Sequence, residues 1–584
     1  MSPKEGSCTI ILEQGAVREL RLLSRHIRKI SVAMLPFFWF GFAVGAYAQQ
    51  ALDAGAIQRE VEKNMSQQLA EPLPGIEAVQ KEVPVEKKGP VFTLQKINFE
   101  GNSVIPSDEL VAIVDVWIGQ KISMNELEVI TAKVSAQYRV RGYLAKVYLP
   151  EQDIKNGVVV VNITEAMFGG IIVQGGGVIK DDYLKKLVQK SQQEAGLVNV
   201  EGLERAALII NDTPGVKAKT VLSASDKMGY SNVQINVEDE PRYSGLISLD
   251  NYGGESTGET QLSPYLQIAN LLGRGDSIVI NGLVSNDNRY ARVRYDEPLG
   301  YDGLRIGGSV SYLDYGLSSQ FSAIGAEGDA ATITADLIYP LVRKTKKNIR
   351  LTGSLTFRNN EDSQLGVVVS DKNIYALNMS VNGDWVDEFG QGGITFYGAS
   401  IVVGDVDLSG NTINEAQDAA GSRTADSYSK FGFNVGRLQS VNDYASLYLS
   451  FSGQVSRDSL DSSESISLGG AYGIRAYPTA EANGDDGFVF TAEYRRQLSR
   501  DLRVSAFVDY GQMTSKSTQV EPANTTSLKG VGMSVDWSLP QNFSSRFIVS
   551  RRLGNNPLGN PITGNDTDGS YELMRIWATI SKNF

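Results

Sequence analysis

The sequence predicts a multidomain envelope protein: a short amphipathic helix on a tether, two α+β modules of β-α-α-β-β order, and a C-terminal sixteen-stranded antiparallel transmembrane β-barrel. Three observations lead there. From about residue 241 onward apolar and polar residues alternate with a period of two; a β-α-α-β-β order occurs twice before that; and beyond residue 48 there is no run of 18 apolar residues that could cross a bilayer as a helix.

Residues 1–48 read as an export signal. Arg18, Arg21, Arg25, Arg28 and Lys29 form a positive stretch, Ile30 to Val44 is almost entirely apolar, and Ala46-Tyr47-Ala48 is a small-x-small cleavage pattern. A membrane anchor is the rival reading, opposed by Pro36 and by the cleavage pattern. The single cysteine, Cys8, and the single histidine, His26, both fall inside this segment. A mature chain starting near Gln49 therefore has no disulfide, no thiolate or imidazole metal ligand and no histidine acid-base chemistry. We expect neither cofactor nor metal nor enzymatic activity. The formal net charge of −12 argues against nucleic acid as a partner.

Within 49–70, Ile57, Val61 and Met65 recur at a spacing of four among charged residues, which predicts an amphipathic helix. Pro72, Pro74, Pro84 and Pro90 make 71–90 a stiff linker. A helix on such a tether is either a movable part or permanently docked on its neighbour.

The first module, 91–168, opens with a strand over Phe92 to Phe99 and a helix at Pro106-Ser107. A second helix is capped by Ser123 with Glu126 three residues on, and presents Leu127, Ile130, Val134 and Tyr138 on one face. Strands at Ala145–Leu149 and Val158–Ile163 close it. Residues 169–240 repeat the order, with a strand at Gly170–Val173, helices at Asp181–Lys190 and Val200–Ile210, and strands at Val216–Leu222 and Val233–Val237.

Beyond Arg242, Ile349, Leu351, Gly353, Leu355 and Phe357 form one face of a ten-residue run whose other face is Arg350, Thr352, Ser354, Thr356 and Arg358. Such a run crosses a bilayer at a tilt, whereas strands of soluble sandwiches are nearer five or six residues. Short turns (Leu271–Asp276, Pro298–Gly303, Arg343–Lys347, Asp384–Gly392, Gln439–Asn442, Leu498–Asp501, Pro540–Phe543) alternate with long polar loops (Gly316–Asp329, Arg358–Lys372, Gly404–Asp426, Arg457–Asp486, Gln512–Ser527, Leu553–Ser570). That alternation puts all long loops on one side of a membrane, and sixteen strands, the last from Tyr571 to Phe584, bring both barrel ends to the periplasm. The basic turn Arg343, Lys344, Lys346, Lys347 reads as solvated, with an anionic periplasmic partner as the alternative.

The loop 457–486 holds Ile466, Leu468, Tyr472, Ile474 and Tyr477, which need cover, and the lumen can supply it. Arg475 then needs a carboxylate, because an unpaired charge in a partly desolvated pore is costly. Asp509, beside Phe507 in Ala506-Phe507-Val508-Asp509, has lumen-side parity, and so does Glu493. Asp405-x-Asp407-x-Ser409-Gly410 begins like a calcium loop, but its twelfth position is Ala416 rather than glutamate. No phosphate-cradling glycine loop ending in Lys-Ser/Thr occurs.

At these residues the chain resembles the ShlB/FhaC/HecB two-partner secretion transporters (TpsB), members of the POTRA-plus-barrel superfamily. The tetrad Ile474-Arg475-Ala476-Tyr477, after Gly473, is similar to that family's Val-Arg-Gly-Tyr/Phe on an inward-folded sixth loop, with alanine for glycine. Phe507-Val508-Asp509 is similar to its Phe-x-Asp barrel motif, whose aspartate pairs with the loop arginine. The resemblance implies that the helix is a plug, that both modules are POTRA domains in the periplasm, and that a monomeric barrel in outer-membrane lipid secretes an unfolded TpsA-like exoprotein: an adhesin, a cytolysin or a haem-binding protein. A membrane-insertion factor for other barrels is the alternative within the superfamily; such proteins usually carry more periplasmic modules.

Overall fold

A computed structural model describes residues 53–68, 91–192, 196–227, 229–516 and 523–584. The expected export signal (1–48) and the proline-rich linker (71–90) lie outside the described residues. A helix, α1, spans Ala54–Gln68, inside the expected 49–70.

In the first module the capping box forms as the spacing predicts. The Ser123 backbone N–H donates to the Glu126 carboxylate at 2.7 Å, and the helix Met124–Val140 starts there. Its buried face of Leu127, Ile130, Val134 and Tyr138 packs on Val159 and Val161 of the sheet. That sheet places Lys96–Glu100 parallel to Val158–Glu165, which pairs antiparallel with Ala145–Tyr148. The single strand expected over Phe92–Phe99 is two strands, because the chain changes partners at Leu94 and Gln95. Val91–Thr93 pairs with Lys121–Ser123, whereas the Gln95 N–H already donates to the Gly157 carbonyl.

Glu165, at the end of this sheet, accepts hydrogen bonds from the Ser103 N–H (2.8 Å), the Val104 N–H (2.9 Å) and the Tyr138 hydroxyl (2.9 Å), and from the Ser103 hydroxyl. One carboxylate thus fastens the turn before the first helix to the second helix.

The second module repeats the plan. Met167–Gly175 runs parallel to Tyr230–Asp239, which pairs with Val216–Ala224. Helices Asp181–Ser191 and Val200–Asn211 bury Leu184, Leu187, Leu203 and Ile210 against Val233 and Ile235. The side chain of Asn199 caps the second of these by accepting from the Gly202 N–H at 2.9 Å.

Sixteen antiparallel strands in sequence order close the barrel, the last (Met574–Asn583) pairing with the first (Tyr243–Asp250) from Thr579↔Asp250 to Asn583↔Leu246. Closure satisfies the backbone donors that lipid would leave unpaired. Leu355 faces outward, on the apolar parity read from the sequence, and Met379, Met533 and Ile576 face outward as well.

Several boundaries differ from the expectation. The loop expected over Arg358–Lys372 is a β-hairpin, since Lys347–Gln364 (18 residues) and Val367–Asp387 (21 residues) stay paired up to Gln364↔Val367. Asn359, Asn360 and Asp362 of that hairpin are polar yet buried, Asp362 accepting from the Ala54 N–H at 2.8 Å, so Asn359 to Gln364 lose the apolar alternation while keeping the ladder. The turn expected at Asp384–Gly392 begins only after Asp387, because Val386 and Asp387 stay paired with Ile394 and Gly393. The expected Gly404–Asp426 loop contains a helix, Thr412–Ala420, whose N-terminal amides are capped by Asn411. The last strand starts at Met574 rather than Tyr571.

The basic turn at Arg343–Lys347 is not left to solvent. Arg343 forms a two-point contact with Asp212 (2.8 and 2.7 Å), Lys344 pairs with Glu201, and the Thr345 N–H donates to Glu204 at 2.8 Å. These acidic groups lie on or just after the helix Val200–Asn211, so the second module sits against the periplasmic turns of the barrel.

Candidate functional site: a loop locked inside the barrel

Among the long loops, 457–486 turns into the barrel, and its inward course starts from its glycines. A Cβ at Gly473 would fall 2.1 Å from the Leu468 carbonyl oxygen, so only glycine permits the tight return there. The Ile474 N–H then donates to the Leu468 carbonyl at 2.7 Å. Leu468, Ile474, Ala476 and Tyr477 bury together against Met513 and Leu528 of the wall. This apolar seat holds the loop in the lumen.

The seat presents the Arg475 side chain to two adjacent strands at once, Asp486–Gln497 and Leu502–Ser515. Its Nε donates to Asp509 Oδ2 at 2.9 Å and its Nη2 to Asp509 Oδ1 at 2.8 Å, while Nη1 donates to Glu493 Oε2 at 2.7 Å. The guanidinium carbon lies 3.2 Å from the Phe507 ring centroid. Both carboxylates and the arginine are buried. Thr491 donates to Asp509 (3.0 Å) and Arg495 to Glu493 (2.8 Å), so two cations face two anions and the desolvated charges are balanced. A planar fork with five N–H donors can make all these contacts together; an ammonium cannot.

All eight wall and loop residues singled out in the sequence (Gly473, Ile474, Arg475, Ala476, Tyr477, Glu493, Phe507 and Asp509) converge here. The sequence reading missed the anchors of the arginine's backbone. The Arg475 carbonyl accepts from Ser550 Oγ (2.5 Å) and from the Trp577 indole N–H (2.7 Å). Trp577 has inward parity on the last strand, and an inward tryptophan in a polar lumen needs a partner for its N–H. That was the available signal.

Helix α1 lies between this loop and the wall. Ile57, Val61 and Met65 are buried, as the spacing predicts, but so are the polar Gln58, Glu60 and Asn64. Gln58 donates to Thr332 Oγ1 (3.0 Å), the Tyr290 hydroxyl donates to Glu62 (3.0 Å), and Gln68 donates to Asp250 (2.8 Å). On the loop side Arg59 reaches Asn483 (2.9 Å) and Lys63 reaches Ser467 (3.1 Å). At its N-terminus Lys372 of the wall binds both Asp53 (2.8 Å) and Asp461 of the loop (2.7 Å). One buried cation therefore joins helix, loop and wall. Periodicity could show the apolar stripe of α1, not the polar contacts of its other face. Among the described residues, histidine, cysteine and carboxylate side chains form no cluster of three or more with metal-holding geometry.

This barrel and its inward loop carry the signature of a known family: the profile of the haemolysin secretion/activation proteins ShlB/FhaC/HecB matches residues 229–537. The chain belongs to this family. Residues 92–166 match the ShlB-type POTRA domain. The heme/hemopexin transporter protein HuxB of Haemophilus influenzae is 28% identical over 524 residues, covering 86% of this chain and 92% of that protein. The solved structure of CdiB from Escherichia coli superposes with a TM-score of 0.68 at 21% identity, covering 91% of this chain and 98% of that one. BamA from Haemophilus ducreyi lacking POTRA domains 1–3 gives 0.51 at 15% identity, covering 84% of this chain and 100% of that one, a likeness of fold alone. The transporter accordingly sits in the outer membrane with its POTRA region in the periplasm, and is of the two-partner secretion type.

Proposed function

We propose that this transporter threads an unfolded exoprotein through its barrel, that its two N-terminal modules, both read as POTRA domains, take up the client in the periplasm, and that the resting pore is closed by two parts held to one another. The lumen is occupied by α1 and by the 457–486 loop, and the observation that carries the reading is the Arg475 contact with Asp509 and Glu493, which fixes the loop to the wall. The free edges of the module sheets suit strand addition by an extended client. A client that folds outside cannot return, which supplies direction without nucleotide hydrolysis. HuxB is named as a heme/hemopexin transporter, which supports a haem-binding exoprotein over an adhesin or a cytolysin as the client class.

A disulfide that pins α1 to the loop tests this. A Cβ at Gly55 falls 2.7 Å from the Ser463 Cβ. Cysteines at the two positions need only about 1 Å of separation to reach the ~3.8 Å of a relaxed disulfide. The oxidised Gly55→Cys/Ser463→Cys protein should fail to secrete a co-expressed client and recover on reduction. Equal secretion in both states would show that helix and loop need not part.

A further inference from the structure

We propose that Lys529 and Arg551 form an outward-facing site for the phosphate groups of an outer-leaflet glycolipid. On the outer surface a ladder of rings runs around the barrel from strand to strand: Phe431 to Phe433, Phe433 to Phe451 (5.4 Å between centroids), Phe451 to Phe488 (5.4 Å) and Phe488 to Tyr510 (5.8 Å). Aromatic belts of this kind mark the level of the headgroups. At the next strand the ladder stops being aromatic. Lys529 is the direct cross-strand partner of Tyr510, and one strand further Arg551 is opposite Val531, diagonal to Lys529. Both are exposed, and on the side below them Met533, Val549 and Ile576 continue the lipid-facing apolar band.

Two cations side by side at the upper margin of an apolar band meet headgroups rather than bulk water. Neither makes an ion pair or a side-chain hydrogen bond among the described residues, so their charges are available to a ligand. Elsewhere on the rim the outward positions carry carboxylates on three neighbouring strands, with Asp329 opposite Glu361 and Glu361 opposite Asp371. The Lys529–Arg551 sector carries two cations instead and attracts an anion. Arginine grips a phosphate at two points and lysine adds a point charge, a pair that fits a lipid bearing two phosphates.

The test is native mass spectrometry of the mature full-length transporter in detergent, titrated with bis-phosphorylated hexa-acyl lipid A, with the same lipid after removal of both phosphates, and with inorganic phosphate. We expect the phosphorylated lipid to bind and the dephosphorylated lipid to bind at least tenfold more weakly. The Lys529→Gln/Arg551→Gln variant should lose about tenfold in affinity. The charge-retaining Lys529→Arg/Arg551→Lys variant should bind like the wild type, and so should Lys346→Gln/Lys347→Gln on the periplasmic side. Heat-modifiable gel mobility reports that each barrel is folded. The proposal is overturned if the Gln pair binds the lipid as well as the wild type, if dephosphorylation has no effect, or if inorganic phosphate displaces the lipid at equal concentration.

Discussion

Arg475 holds Asp509 with two of its nitrogens and Glu493 with the third, so one side chain of the inward loop is bound to two adjacent strands of the wall. Replacing it by alanine leaves the buried Asp509 without its cation and Glu493 with Arg495 alone, a defect of about 3–5 kcal/mol in the local fold. We predict that Arg475→Ala abolishes secretion while the barrel still assembles. The reciprocal swap Arg475→Asp/Asp509→Arg should recover little, because the new aspartate faces Glu493; adding Glu493→Gln should recover much more. Secretion of a co-expressed client, normalised to folded barrel, checks both.

Gly530 of the wall faces Ala476 of the loop. A Cβ at Gly530 would lie 2.7 Å from the Ala476 Cβ, and the other nearest atoms are at 3.6 Å. Gly530→Ala should therefore displace the loop by overpacking at a cost of about 1–3 kcal/mol. In an Ala476→Gly background the same substitution should be close to neutral. The coupling is measurable as protease accessibility of the loop across the four variants.

Lys372 is the shared cation of Asp53 and Asp461. Lys372→Met leaves both carboxylates without their partner, whereas Asp53→Asn keeps the Lys372–Asp461 pair. The first should release α1 from the lumen and raise single-channel conductance in planar bilayers several-fold; the second should have a clearly smaller effect. Equal conductance of the two variants would mean that the wall-to-loop half of the contact does not hold the helix.

Glu165 governs the acid stability of the first module. Burial by itself would raise its carboxyl, but the hydrogen bonds from Ser103, Val104 and Tyr138 outweigh this and hold it below its usual 4.5. A folded-state value below the unfolded one means stabilisation that is complete above pH 4.5 and is lost as the pH falls through the folded value. Glu165→Gln should lower the module's urea midpoint at pH 7 and make no difference at the most acidic pH. Fluorescence of Trp117, which packs on the module core, follows the transition.

The fold was readable because each part announces itself by a different period. The Ser123–Glu126 spacing started a helix where the structure has one, and the alternation at Ile349 to Phe357 gave the correct outward face. Reading failed where buried positions are polar: Asn359, Asn360 and Asp362 are covered yet carry no apolar alternation, so a paired hairpin looked like a loop. The core of the site was legible since Arg475 is a charge among buried apolar neighbours and Asp509 has inward parity. Ser550, Trp577 and Lys372 were not, because their partners are backbone atoms or residues 89 and 319 positions away, and only closure of the barrel brings them together. The basic turn misled for a related reason: its acidic counterparts, Glu201, Glu204 and Asp212, belong to a different module.

The strands of the barrel are unequal in length. Gln261–Ala269 and Ser277–Val284 have 9 and 8 residues, whereas Val367–Asp387 has 21. At about 3.3 Å per residue and a tilt of about 40°, the longest strand rises roughly 50 Å along the normal, against an apolar band of about 25 Å. The mouth of the channel is therefore cut on a slant, with a stiff parapet on one bank and a low sill on the other. A polypeptide leaving such a mouth would meet less wall on the low side than on the taller bank.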